Sequence, residues 1–217
     1  MPALTLANEI VRSRNVSASE VGALLPGGHP YTTPEGIYDR LMGAESDRRE
    51  SEAMAIGSYM ESSILRFAER RDGFRARLNA RTIESGSVRL CATPDAFVVS
   101  PGPSMPTTER ALIEIKMSGR AELWREVPSQ VLWQARSQLH CTGRDVVYIY
   151  VLAAMRLLSF PIYRDAALEE QLTTAVQRFW TDHIVAGVRP VPTASVPAMT
   201  FSFETDRAIP VKEMTPA

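Results

Sequence analysis

The 217-residue chain carries 24 Lys and Arg against 25 Asp and Glu, a formal net charge of −1. Any polyanionic partner must therefore be held by a local basic patch and not by the field of the whole molecule. The apolar fraction of 45% suits one well-buried globular domain. With no apolar run long enough to cross a bilayer, no signal-peptide pattern at the N-terminus, and only Cys91 and Cys141 as thiols, a soluble intracellular protein with reduced cysteines is expected.

In chain order, Ser17 or Ser19 can cap a short helix through Leu25, and Pro26-Gly27-Gly28 breaks it. Thr33-Pro34-Glu35 starts a second helix that ends near Gly43. From Ser51 to Arg71, Ala53, Met54, Met60, Ile64, Leu65, Phe67 and Ala68 recur at helical spacing. Glu61 leaves that helix beside the apolar face and should point inward. Segments rich in β-formers follow at Phe74 to Ile83, Val88 to Cys91, Ala96 to Val99 and Ala111 to Met117, with a Pro/Gly/Ser loop from Ser100 to Thr108; they read as an antiparallel meander. Pro128 opens a helix to about Cys141, stopped by Gly143. Val146 to Leu152 is a nearly continuous apolar run, as in a strand buried on both faces, and Met155 to Ile162 should pair with it. Asp165 caps a last helix with a stripe of Leu168, Leu172, Val176, Phe179 and Ile184, ending at Gly187.

Chemistry concentrates in Glu114-Ile115-Lys116. Two residues apart on a strand, Glu114 and Lys116 leave one face while Ile113 and Ile115 face the core. Lys116 is one of only two lysines in a chain that otherwise takes its positive charge from arginine, which suggests a site needing a compact ammonium. A hairpin joining the strand that Asp95 begins to the strand of Glu114 would bring the two carboxylates together. Carboxylates that close repel unless a divalent cation neutralises them, and an all-oxygen donor set suits Mg²⁺ or Mn²⁺. Two such ions could prepare a water nucleophile and relieve phosphate charge in phosphodiester hydrolysis. Arg66, Arg70, Arg71, Arg75, Arg77 and Arg81 form either a solvated surface or a DNA-backbone patch. Gln130, Gln134 and Gln138 form a stripe four residues apart, a pattern often found on an exposed helix face. His29, His140 and His183 show no metal spacing and read as structural. Trp124, Trp133 and Trp180 could stack on bases or simply pack.

Pro94-Asp95 followed by Glu114-Ile115-Lys116 resembles the PD-(D/E)XK nuclease signature. Gly57-Ser58-Tyr59-Met60-Glu61 resembles the helix supplying an upstream acid, and Gln134 to Gly143 resembles the glutamine-bearing helix after the lysine. Together with Arg12 to Ser19, these segments are similar to the phage lambda exonuclease and YqaJ-like viral recombinase family. The resemblance implies an α/β (α+β) restriction-endonuclease-like core with a central mixed sheet flanked by helices. It implies one nuclease domain over residues 1–217, with a helical region at about 1–50, a catalytic core at about 51–187 and a proline-rich tail at 188–217. It further implies that Asp95, Glu114 and the Ile115 carbonyl bind two Mg²⁺ ions, with Mn²⁺ as a substitute and Glu61 assisting through water. Lys116 would orient or deprotonate the attacking water, and Gln134 would hold the nucleophile or the lysine. Arg12, Ser19, Thr93 and Arg120 would meet the DNA 5′-phosphate, although Met117-Ser118-Gly119-Arg120 departs from the family's usual Cys-Pro step. For Arg12 and Ser19, helix capping and surface solvation are the competing readings.

The implied activity is a 5′-to-3′ exonuclease on double-stranded DNA ends, in the cytoplasm of a bacterial host, leaving 3′ overhangs for phage-type recombination. Its implied partners are two further copies in a homotrimeric ring and a single-strand annealing protein, with no membrane. The rivals are a RecB- or Cas4-like single-strand nuclease, a restriction-type endonuclease, and a DNA-end-binding module without catalysis. Two cysteines weaken the iron–sulfur version of the first, since cluster ligation needs four.

Overall fold

The computed structural model describes residues 5–44, 52–103, 105, 110–118 and 124–191. Its N-terminal region holds α1 (Leu6–Ser13), whose N-terminal amide at Asn8 donates to the Thr5 hydroxyl, then a two-residue strand β1 (Val16–Ser17) and a 3₁₀ turn at Val21–Leu24. Helix α2 (Pro34–Leu41) begins as expected, with the Gly36 amide donating to Thr33 Oγ1 at 3.3 Å. The helix expected from Ser17 or Ser19 to Leu25 is reduced to that single 3₁₀ turn, which has no side-chain cap. Ser17 is withdrawn from capping because it pairs with Cys91 in a parallel ladder and gives its amide to Glu20 Oε1 at 2.9 Å.

The remaining strands are β2 (Arg75–Leu78), β3 (Ile83–Glu84), β4 (Leu90–Ala92), β5 (Ala96–Ser100), β6 (Ala111–Ser118), β7 (Val146–Ala153) and β8 (Arg156–Tyr163). They are not the single antiparallel meander that the β-forming segments suggest. A small sheet runs β1-β4-β3 and a five-stranded sheet runs β2-β5-β6-β7-β8. The break falls at Thr93-Pro94, where the chain passes from one sheet to the other and proline cannot donate to a ladder. Within the larger sheet β6 and β7 are parallel, and the other neighbours are antiparallel. The β6–β7 crossover carries α4 (Ser129–Thr142), which ends at Gly143 with φ 65°; glycine enters this left-handed region at no steric cost.

Helices cover both faces of the sheet. Ile113, Ile115, Tyr148 and Tyr150 pack with Ile64, Leu65 and Ala68 of α3 (Glu52–Asp72) and with Phe74. Leu112, Val147, Ile149 and Val151 pack with Val131, Leu132, Ala135 and Leu139 of α4. The Leu112–Glu114–Lys116 face of β6 is therefore an interior face as well, not a solvated one. Only the C-terminal part of α3 belongs to the core: Met54, Met60 and Phe67 are exposed, as are Ile56 and Tyr59, so the apolar recurrence there overstates the buried stripe. At 21 residues α3 is about 30 Å long, and its buried residues, Ile64, Leu65 and Ala68, lie in its C-terminal half.

A third cluster joins the N-terminal region to the last helix through Val16, Val21, Ile37, Leu90, Trp133, Leu172, Val176 and Phe179. Helix α5 (Ala166–Phe179) starts at Asp165, whose Oδ1 accepts from the Leu168 amide at 3.0 Å. It continues as a π-helical turn over Trp180–Val185. That wider turn accommodates the five-residue step from Phe179 to Ile184 that a plain α-helix would rotate out of the stripe. The expectations for Arg120 and for the tail beyond Val191 lie outside the described residues.

Candidate metal and active site

Strand pairing places the central acids. Ala96 pairs with Ile113 and Phe97 with Leu112, so Asp95, just before β5, lies at the level of Glu114. The β5–β6 ladder stops there, and the side chain takes over: the Ile115 amide donates to Asp95 Oδ2 at 2.6 Å. In an extended strand a residue's N–H and C=O project toward the same edge. The Ile115 carbonyl is thus directed to the acidic side, away from its β7 neighbour. Asn79 steadies the approach to Asp95, its amide donating to the Asp95 carbonyl and its Nδ2 to the Pro94 carbonyl, both at 2.9 Å.

Glu114 is 2% exposed and Asp95 5%. Glu114 Oε1 accepts from Lys116 Nζ and from Gln134 Nε2, each at 2.6 Å. Its Oε2 accepts from Gln138 Nε2 at 2.5 Å. Three donors from one strand and one helix therefore fix a single carboxylate. Gln138, fully buried, is the site residue that sequence reasoning passed over. Its four-residue spacing from Gln134 carries the signal, but the same spacing is common on exposed helix faces, whereas α4 turns Gln134 and Gln138 inward onto β6.

Burial, reinforced by the Glu114 charge, pushes the Asp95 carboxyl well above its usual range, against the opposing pull of Lys116. Burial also raises Glu61 on α3, and the Glu114 charge adds to it. For Lys116 burial works to lower the pKa, but Glu114 and Asp95 outweigh it and the net direction is upward. The ammonium is held charged by the carboxylates it neutralises. A divalent cation on those carboxylates would weaken that hold.

The donor set fits such a cation. Two buried carboxylates and a directed carbonyl are oxygen ligands of the kind Mg²⁺ and Mn²⁺ prefer. Beside them the buried Gln138 Oε1 has no hydrogen-bond partner, an acceptor that the O–H groups of a hydrated ion could satisfy. Among the described residues no three His, Cys, Asp or Glu side chains gather at ligand distance. Glu61 on α3 is close enough for the Glu114 and Lys116 charges to act on it.

The chain between Arg12 and Ser19 runs alongside this centre. Ser17 is level with Cys91, and the Ala18 amide donates to the Cys91 carbonyl at 2.8 Å. The segment thus lies beside the strand leading through Thr93 to Asp95. Ser19 is exposed, with its Oγ 3.1 Å from Ser17 Oγ, and Thr93 Oγ1 lies 2.9 Å from Thr82 Oγ1. Of the arginine stretch, Arg66, Arg70, Arg75, Arg77 and Arg81 are exposed. Arg71 is not part of that surface: it bonds Asp72 and the Leu157 carbonyl and lies over the Tyr150 ring. Trp133 is buried with its Nε1 donating to the Pro26 carbonyl at 3.1 Å, so it packs and does not stack on bases.

Residues 9–145, more than half of the chain, match the model of the YqaJ-like viral recombinase domain. The chain belongs to this family. It is 23% identical over 190 residues to the uncharacterized protein YqaJ of Bacillus subtilis (strain 168), covering 83% of this chain and 57% of that protein, so the chain spans little more than half of that relative's length. Among solved structures, an alkaline exonuclease, LHK-Exo, from Laribacter hongkongensis superposes with a TM-score of 0.64 at 19% identity, covering 83% of this chain and 93% of the other. LHK-Exo in complex with dAMP gives 0.62 at 19% identity, with coverages of 82% and 92%. A phage-related exonuclease from Haemophilus somnus 129PT gives 0.56 at 12% identity, with coverages of 80% and 96%. The mixed sheet between helices is the fold this chain shares with these exonucleases.

The three-donor cradle of Glu114 yields a direct prediction. Gln138→Met should destabilise the protein by about 1–3 kcal/mol, the cost of an unpaired buried acceptor. In a double-mutant cycle with Glu114→Gln measured by urea unfolding, the coupling should be at least about 0.5 kcal/mol; additive effects would show that the contact contributes nothing.

Proposed function

We propose that this protein is a Mg²⁺-dependent nuclease that degrades the 5′ strand from double-stranded DNA ends and leaves 3′ single-stranded overhangs. The observation that carries the reading is the convergence of buried Asp95 and Glu114 with Lys116 and Gln134 on one edge of β6. Family membership and the exonuclease fold of its structural neighbours support it. Asp95, Glu114 and the Ile115 carbonyl would hold Mg²⁺ or Mn²⁺, as two ions, with Glu61 assisting through water. Bound there, the ions would supply a water of lowered pKa and neutralise phosphate charge.

The protein's own groups divide the remaining work. Lys116, on the exposed side of Glu114, would orient the attacking water and offset charge building on the phosphate. Gln134, bonded to the same Glu114 oxygen, fixes that carboxylate and leaves the ammonium little freedom to turn away. Arg12, Ser19 and Thr93 would receive the terminal 5′-phosphate, and the exposed arginines from Arg66 to Arg81 would meet the DNA backbone. A homotrimeric ring would keep DNA captive between cleavages, and a single-strand annealing protein would take up the overhang.

The test is Mg²⁺-dependent digestion of linear duplex DNA labelled separately at its 5′ and 3′ ends, with 5′-phosphate and 5′-hydroxyl versions and a covalently closed circle as control. Stepwise release from the phosphorylated 5′ end is expected, absent with Lys116→Ala. Cutting of the closed circle would replace this reading with an endonuclease, and binding without cleavage would replace it with an end-binding module.

A further inference from the structure

We infer that the Glu20–Arg40 ion pair is a positioning device that sets the protein's discrimination for 5′-phosphorylated ends without touching the DNA. The inference rests on reading Arg12–Ser19 as the phosphate-contacting segment. That segment follows the C-terminus of α1, where the last carbonyls, among them Val11 and Arg12 with only cap amides as backbone donors, present partial negative charge, a poor place for a phosphate dianion. Arg40, reaching across from α2, corrects this. Its Nη1 donates to the Arg12 carbonyl at 2.5 Å and its Nη2 to the Asn15 carbonyl at 2.9 Å. Asn15 Nδ2 covers the Val11 carbonyl at 2.9 Å.

The guanidinium is itself oriented by Glu20, with Nε donating to Oε2 at 3.2 Å and Nη2 to Oε1. Glu20 Oε1 also accepts the Ser17 amide at 2.9 Å. One buried carboxylate and one planar cation thus close the turn from Arg12 to Glu20 into a ring held at both ends. Ser19 takes no part in that ring: it is exposed, two residues beyond Ser17, which pairs with Cys91 on the strand leading through Thr93 to Asp95. Arg40 has 25% of its side chain exposed and Glu20 5%, so neither presents the open, freely placed group that a substrate contact would need. The forked geometry matters: an ammonium cannot span the two carbonyls and both carboxylate oxygens together.

The experiment compares cleavage of 5′-phosphorylated and 5′-hydroxyl duplex ends by wild type, Arg40→Met, Arg40→Lys and Glu20→Gln, with circular dichroism confirming folding. The phosphate preference of wild type should fall by about tenfold or more in Arg40→Met, chiefly through a higher KM for phosphorylated ends, with Arg40→Lys intermediate. Glu20→Gln keeps the side-chain shape, removes the orienting charge, and must move the ratio in the same direction. A merely structural pair would lower both rates together and leave the ratio unchanged; that result overturns the inference while the phosphate reading stands. A wild-type protein indifferent to the 5′-phosphate would instead overturn the phosphate reading, and this inference with it.

Discussion

Replacing Lys116 by arginine is expected to slow DNA cleavage by about 10²–10³-fold although the positive charge is kept. The Lys116 ammonium sits 2.6 Å from Glu114 Oε1, an oxygen that Gln134 Nε2 also approaches at 2.6 Å. A guanidinium is broader, planar and unable to give up a proton near neutral pH. Accommodating it beside Gln134 displaces its charge from the place where the attacking water and the phosphate would meet, and a displacement of an ångström at such a point costs on the order of 10² in rate. Single-turnover cleavage at saturating Mg²⁺ measures the effect free of product release. The same variant should still gain thermal stability from Mg²⁺, because its oxygen ligands are intact. Cleavage within tenfold of wild type would remove Lys116 from the chemical step and leave it as a neutralising partner for Glu114.

Much of this site is legible in the chain because its parts obey local periodicities. Glu114 and Lys116 share a face by the alternation of a strand, and Gln134 and Gln138 share one by the pitch of a helix. What periodicity cannot give is which face of an element becomes interior. Both faces of β6 are covered, so Leu112 and Glu114 are as buried as Ile113, and the glutamine stripe belongs to the core-facing side of α4. Sheet membership is hidden for the same reason. Leu90–Ala92 and Ala96–Ser100 look like neighbours in one meander, yet the first pairs with β1 and β3 and the second with β2 and β6. Those partners are set by contacts distant in sequence.

Turn chemistry is a poor guide between β7 and β8. The β7–β8 hairpin turns through Ala154 and Met155 at φ 47° and 60°, without the Asn-Gly pair that normally marks such a turn. There the two apolar strands determine the hairpin, and the turn residues follow. Pro161 sits within β8 for a related reason: among the described residues β8 is the last strand of its sheet, and a missing amide donor is tolerated at such an edge.

Metal-free protein should lose stability as the pH rises from about 4, and Mg²⁺ or Mn²⁺ should restore it. The sign follows from Asp95, whose folded pKa is raised above its ordinary value of 3.8 by burial and then by the Glu114 charge. Below pH 3.8 the group is protonated in folded and unfolded chains alike and contributes no penalty. Between that value and the raised native one, the unfolded chain releases a proton that the folded chain retains, so stability falls with rising pH. Above the native value the loss is complete and constant. Glu61, also raised, adds in the same direction. Glu169 opposes it at the acid end, because hydrogen bonds from Arg164 lower its pKa. The difference between wild type and Asp95→Asn isolates the group, and the asparagine oxygen can still accept the Ile115 amide. Thermal or urea unfolding across pH 4–9, with chelator and with metal, should show a falling chelated curve for wild type and a flatter one for Asp95→Asn. At a metal concentration about 100 times Kd the wild-type gain should be about 2.7 kcal/mol, largest at the alkaline end where the carboxyl is already ionised. A wild-type protein whose stability at pH 8 is indifferent to both ions would show that Asp95 and Glu114 are reconciled by Lys116 alone. The nuclease reading would then lose its metal, and with it the reason for burying two carboxylates side by side.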